Sequence, residues 1–236
     1  YLSFNAFFTR ALRPGVRSLP DAPDAVICPI DGTLSQIGTV ADGRILQAKG
    51  ERFSVLELLA GDHERASRYD HGRFATLYLS PRDYHRVHMP VDGELERSVH
   101  VPGRLFPVAP FSVRGVPDLF LRNERVVSHF HTPAGPLSLV LVGALNVGAI
   151  ETVWGGPPSP ASRRRLTGED FDPGAVRLAR GEEMGRFNLG STVILIFGPQ
   201  VTWQQGPGPG DRLRLGQVLG VHGQGDQPRS GENART

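Results

Sequence analysis

Cysteine, lysine, long apolar runs and excess charge are all scarce in this chain, and each scarcity removes a class of explanation. The single cysteine, Cys28, leaves no internal disulfide framework and no multi-cysteine metal cluster, and reads as a small buried hydrophobe. No stretch reaches the roughly 20 apolar residues that a bilayer-spanning helix needs. No signal-peptide pattern is present either, and because the chain begins at Tyr1 rather than methionine, a preceding segment carrying any membrane anchor is expected. A formal net charge of +2 is too small for a nucleic-acid footprint, so no nucleic-acid partner is expected. Lys49 is the sole lysine, and Gln47-Ala48-Lys49-Gly50 around it is not a recognisable pyridoxal phosphate site.

What is abundant points to β structure. With 236 residues, 39% hydrophobic, the chain can bury one substantial core, and a single domain over 1–236 is expected. Its 29 glycines and 20 prolines between short apolar runs suit strands joined by tight turns. The expected class is α+β, with a predominantly antiparallel β core and a few short peripheral helices. Phe4, Phe7, Phe8 and Ala11 recur at helical spacing before Arg10, Arg13 and Pro14. That helix reads first as packed on the core, and second as an aromatic face dipping into a lipid surface. Asp42-Gly43 predicts the turn of a hairpin over 26–46. Ser54 with Glu57 forms a capping box and Phe53 with Leu58 a hydrophobic staple, so a helix is predicted over 55–60, stopped by Gly61. Strands are predicted over 74–79, 95–101, 126–130, 137–145 and 193–197, with Gly/Pro-rich loops over 155–162 and 206–210 and a disordered tail over 223–236.

Few residues suggest chemistry by themselves. His85 and His88 stand close together at a predicted strand end, without the cysteine or carboxylate cluster that would complete a zinc signature, so no metal site is expected. Taken alone they divide evenly between structural and catalytic readings. Asp31, before Gly32, reads alone as a turn residue. Gly190-Ser191-Thr192 is equally plain, but a buried-looking β run follows it. Together Asp31, a histidine and Ser191 suit an aspartate, base and nucleophile. Ser191 lacks the Gly-x-Ser-x-Gly elbow of many hydrolases, and its hydroxyl could attack the Gly190 carbonyl if the backbone were strained.

The segments Phe4-Asn5-Ala6-Phe7-Phe8-Thr9-Arg10, Asp31-Gly32, Leu79 through Pro90, Asn123-Glu124-Arg125, Ile150 through Trp154 and Glu183 through Thr192 resemble the phosphatidylserine decarboxylase family. The departures are Ile30, where alanine is frequent, and the unmatched loop 157–174. The resemblance implies a proenzyme that cleaves itself between Gly190 and Ser191 into a β chain, 1–190, and an α chain, 191–236. Asp31, His88 and Ser191 would form the self-processing triad, and His85 would serve substrate handling and decarboxylation. Ser191 would become a covalent pyruvoyl cofactor that forms a Schiff base with phosphatidylserine and releases carbon dioxide to give phosphatidylethanolamine. The resemblance also implies a homodimer. A two-chain lipid substrate further implies a peripheral membrane protein, on the cytoplasmic face of a bacterial cell membrane. Two rivals remain open here: a serine hydrolase using the same three residues on an intact chain, and a non-catalytic β-rich binding module.

Overall fold

The strand Ser191–Phe197 is buried along its whole length, a state open only to a strand at the centre of a sheet covered on both faces. It pairs antiparallel with Arg73–Leu79 on one side and Gly135–Val142 on the other. The computed structural model describes residues 1–144, 150–156, 164–188 and 191–223. Among them this trio is the middle of a nine-stranded sheet. Beyond Gly135–Val142 come Arg125–Thr132, Gly93–Val101 and Thr167–Asp170, with Arg177–Leu178 also on Gly93–Val101; beyond Arg73–Leu79 come Gly32–Thr39 and Arg212–Leu213. Every pairing in it is antiparallel.

A three-stranded sheet joins Ile150–Thr152, Glu183–Phe187 and Arg86–His88, and another joins Ala25–Ile27, Val218–His222 and Val201–Trp203. A two-stranded sheet of Arg44–Ala48 and Glu51–Ser54 and five short helices complete the described elements, as the α+β reading requires. Cys28 is fully buried, and burial pushes its thiol up to about 12, so it is an inert core residue.

The best-marked local signals are realised. Ser54 caps the helix Val55–Leu58 by accepting from the Glu57 N–H at 3.3 Å, and Ala60 and Gly61 then take φ of +62° and +83° to end it. The first helix, Phe4–Phe8, is split between the two readings: Phe8 is buried, whereas Phe4 and Phe7 are 68% and 47% exposed.

The hairpin over 26–46 needs correction. Asp42 and Gly43 do make the positive-φ turn, at +53° and +65°. The strand that follows, Arg44–Ala48, pairs instead with Glu51–Ser54 through a second tight turn at Lys49-Gly50. Gly32–Thr39 spends its hydrogen bonds on Arg73–Leu79, a ladder that leaves that edge unavailable to its sequence neighbour. Of the predicted strand 137–145 the last residue lies outside the described residues, as do 157–162 of the first loop and the tail from 224.

Candidate active site

Asp31 stands where it does because Gly32 follows it: a Cβ on Gly32 would lie 2.6 Å from the Tyr78 carbonyl oxygen. Only glycine lets the chain pass so near the strand Arg73–Leu79. The Asp31 carboxylate accepts from the Leu215 N–H at 2.9 Å and from Arg17 Nε at 3.0 Å, and Arg17 also meets its second oxygen. Asp31 therefore ties an arginine far upstream to a main-chain group near the C-terminus.

The His88 N–H donates to the Pro29 carbonyl at 2.9 Å, which brings the Arg86–His88 strand against the segment bearing Asp31. His88 Nδ1 lies 2.8 Å from the Gly181 carbonyl, an acceptor only, so Nδ1 carries the proton and Nε2 the lone pair. That lone pair accepts from the Tyr84 hydroxyl at 3.0 Å. Burial lowers the His88 pKa, against the hydrogen bond to Gly181 and the fields of Glu183 and Asp31, which raise it. Asp31 thus acts on His88 through space; the bond that orients the ring comes from Gly181 and not from the aspartate.

His85 is more deeply enclosed. It is fully buried, its ring centroid sits 4.0 Å from that of Phe8, and its Nδ1 donates to the Asp83 carbonyl at 2.8 Å. Its Nε2 has no hydrogen-bond partner. Burial drops its pKa to about 4, so a neutral ring holds a free lone pair in a dry setting. Asp83 itself is clamped by Arg212 at 2.5 and 3.2 Å and by the Ser80 N–H at 2.7 Å. Burial opposes its ionisation, but these hydrogen bonds hold its carboxyl below the usual range.

Ser191 begins the most buried strand. Its side chain is fully buried and its Oγ has no partner, a costly state for a hydroxyl. It lies opposite Leu79, the residue before the turn that carries Asp83 and His85. On the other side, the Phe187 N–H donates to the His85 carbonyl at 3.0 Å. His85 is therefore tethered to the chain just ahead of Leu189 and Gly190, which lie outside the described residues. Ser191 makes no hydrogen bond with either histidine.

Three contributors carried no assigned role in the sequence. Glu151 accepts from Arg186 Nε at 2.7 Å and from Asn188 Nδ2 at 3.0 Å, holding the approach to position 189; it lay within a quoted family segment. Tyr84, within the long histidine segment, engages His88. Arg17 gave no local signal, because its partner is 14 residues away. A cleft of about 490 Å³ opens beside Asp31, and its lining includes Arg10, Arg17, Arg82, Arg212 and Arg214.

The phosphatidylserine decarboxylase family model matches residues 4–221. A phosphatidylserine decarboxylase proenzyme of Bordetella pertussis is 53% identical over 225 residues, covering 94% of this chain and 75% of the relative. That of Stutzerimonas stutzeri is 54% identical over 224 residues, 93% of this chain and 75% of the relative. That of Methylococcus capsulatus is 50% identical over 218 residues, 92% and 76%. Neither the hydrolase nor the binding-module reading finds support in these similarities.

Proposed function

The chain belongs to the phosphatidylserine decarboxylase family, and on that premise we propose that it is the self-cleaving precursor of a pyruvoyl enzyme, with Ser191 as the residue converted. Its activity is that of a carboxy-lyase on phosphatidylserine. The observation that carries the assignment is the Ser191 hydroxyl, fully buried and without a partner at the head of the central strand. A buried hydroxyl that makes no hydrogen bond weakens the fold, and at the position that matches the family's cleavage-site serine it is free to act as a nucleophile.

In the cleavage step His88, its basicity supported by Asp31 through space, removes the Ser191 proton once Tyr84 yields Nε2. The Oγ attacks the Gly190 carbonyl; a C–O bond forms, the C–N bond breaks, and the proton passes to the released amine. His88, neutral again, takes the Ser191 α-proton as the Gly190 carboxylate leaves; the resulting enamine shifts a proton to become an imine, and water replaces its nitrogen, which leaves as ammonia. The fit of residue 191 to a carbonyl group is supported by the enclosed surroundings of Ser191 and by the free lone pair of His85. Once formed, that group supplies the electron sink that carboxylate loss requires. His85, neutral in dry surroundings, is suited to accept a proton from the substrate at Nε2 and then return it.

The two pieces, 1–190 and 191–236, would stay together because Ser191–Phe197 is hydrogen-bonded on both edges to strands of the other piece. Intact-mass spectrometry tests the proposal: two fragments, the smaller bearing a hydrazine-reactive carbonyl, are expected, and Ser191→Ala should give one inert chain. A Ser191→Ala protein that still decarboxylates phosphatidylserine would sink it.

A second division of labour is favoured by one observation: the His85 Nε2 is unpartnered while that of His88 is taken by Tyr84. His85 would then be the base for cleavage. Cleavage by His85→Gln but not by His88→Gln supports the first division, and the reverse supports the second.

No helix among the described residues is long and apolar enough to cross a membrane. Peripheral association with the cytoplasmic face of a bacterial cell membrane is the matching location, supported by the exposed Leu2, Phe4 and Phe7 near Arg10. A homodimer belongs to the same reading and rests on family resemblance alone; light scattering tests it.

A further inference from the structure

A second cavity, of about 370 Å³, meets the other side of the reactive strand. Thr192 lines it, one residue and hence about 3.8 Å in Cα position from residue 191. The Thr192 hydroxyl is buried and makes no hydrogen bond, although the residue is only 1% exposed. Leu34, Val108, Val113 and Phe120 give the cavity an apolar wall, Thr33, Ser35, Gln36 and Tyr78 add neutral polar groups, and among the described residues no carboxylate lines it. The only charged groups among the described lining residues are Lys49 and Arg114. Both are solvent-exposed, and neither makes an ion pair or side-chain hydrogen bond among the described residues.

Lys49 is held there at a cost. It adopts φ of +50°, a conformation that favours glycine or asparagine, in the turn with Gly50. Yet this is the one lysine among 26 basic residues. The facing wall is fixed to the same strand: buried Gln47 donates to the Val113 and Val116 carbonyls at 2.9 and 2.8 Å and accepts from the Leu119 N–H at 3.0 Å. One rigid unit thus sets the spacing between Lys49 and the helix Pro110–Gly115 that bears Arg114. Two unpaired cations above an apolar wall, with a spare hydroxyl at the reactive end, suit an anion joined to a hydrocarbon body.

We propose that this cavity receives the phosphodiester of the lipid substrate, with Lys49 and Arg114 meeting its negative charge and the amino-acid head group directed toward residue 191. The inference rests on the decarboxylase reading above. The arginine-rich cleft beside Asp31 is the competing place for that charge, but two of its arginines, Arg17 and Arg212, are already paired with Asp31 and Asp83.

The test uses processed enzyme, with two readouts: KM for dihexanoyl phosphatidylserine, and the calorimetric Kd of glycerophosphoglycerol, a phosphodiester without amine or acyl chains. Lys49→Gln and Arg114→Gln should each raise both by about tenfold or more, with kcat held within about threefold, and Lys49→Arg should restore most of the loss. Values within about twofold of wild type overturn the proposal. So does a rise in KM alone, which would assign the cations to the bilayer surface, and so does a rise with Arg82→Gln but not with Lys49→Gln. If Lys49→Gln fails to process, Arg114→Gln decides. A wild-type enzyme that binds glycerophosphoglycerol through Lys49 and Arg114 but does not decarboxylate would refute the reading of function and uphold the cavity as a phosphodiester site.

Discussion

His129 offers a quantitative test of how dry the interior of the central sheet is. Its side chain is 2% exposed, Nδ1 lies 2.7 Å from Ser138 Oγ, that hydroxyl lies 2.7 Å from the Tyr69 hydroxyl, and Nε2 has no partner. Burial, reinforced by Arg65, Arg97 and Arg68 and opposed by Asp62, lowers its pKa to about 3. In the unfolded chain the same ring titrates near 6.5. As pH falls below that value only the unfolded state takes up this proton, so stability is lost progressively until the folded ring is also protonated, near its pKa of about 3. At about 1.36 kcal/mol per pH unit, His129 alone removes about 2 kcal/mol between roughly pH 7.5 and 5. The measurement is urea unfolding of the Ser191→Ala precursor, whose single chain unfolds as one molecule, at the two pH values. His129→Asn, which keeps a hydrogen-bonding group for Ser138, should lose about 2 kcal/mol less than its parent over that interval. Equal losses in the two proteins would show that His129 is not held neutral by burial.

Two further substitutions probe the site. Glu151→Gln removes the charge that holds Arg186 and Asn188, just ahead of the proposed scissile pair; self-cleavage followed on gels should slow by about tenfold or more, and an unchanged rate would remove Glu151 from the positioning machinery. Gly32→Ala puts a Cβ 2.6 Å from the Tyr78 oxygen and 2.7 Å from Ile30 Cδ1. It should cost about 1–3 kcal/mol in urea unfolding and slow cleavage as Asp31 shifts; wild-type stability would contradict the close approach.

Local signals were legible where the partners are neighbours in the chain. The Ser54 cap, the turn at Asp42-Gly43 and the β-branched run after Ser191 each join residues a few positions apart, and each is present. The pairing of Arg44–Ala48 was not legible, since either neighbouring strand satisfies the same alternation. The helices His63–Ser67, Pro110–Gly115 and Leu119–Arg122 were also missed; each is at most six residues long, too short for periodicity to register.

The site divides in the same way. Taken singly, Asp31 reads as a turn residue, His85 and His88 as undecided and Gly190-Ser191 as plain; it is the family resemblance, carried by segments spread along the chain, that singles them out. What each side chain meets was decided by the fold: Arg17 and the Leu215 N–H on Asp31, the Gly181 carbonyl on His88, Phe8 on His85. Hydrogen-bond partners and desolvation depend on distances between segments far apart in sequence, and these exist only after the chain has packed. Lys49 is the sharpest case. As a letter it was notable only as the sole lysine; the turn at Gly50 places it in the lining of a cavity that Thr192 also lines.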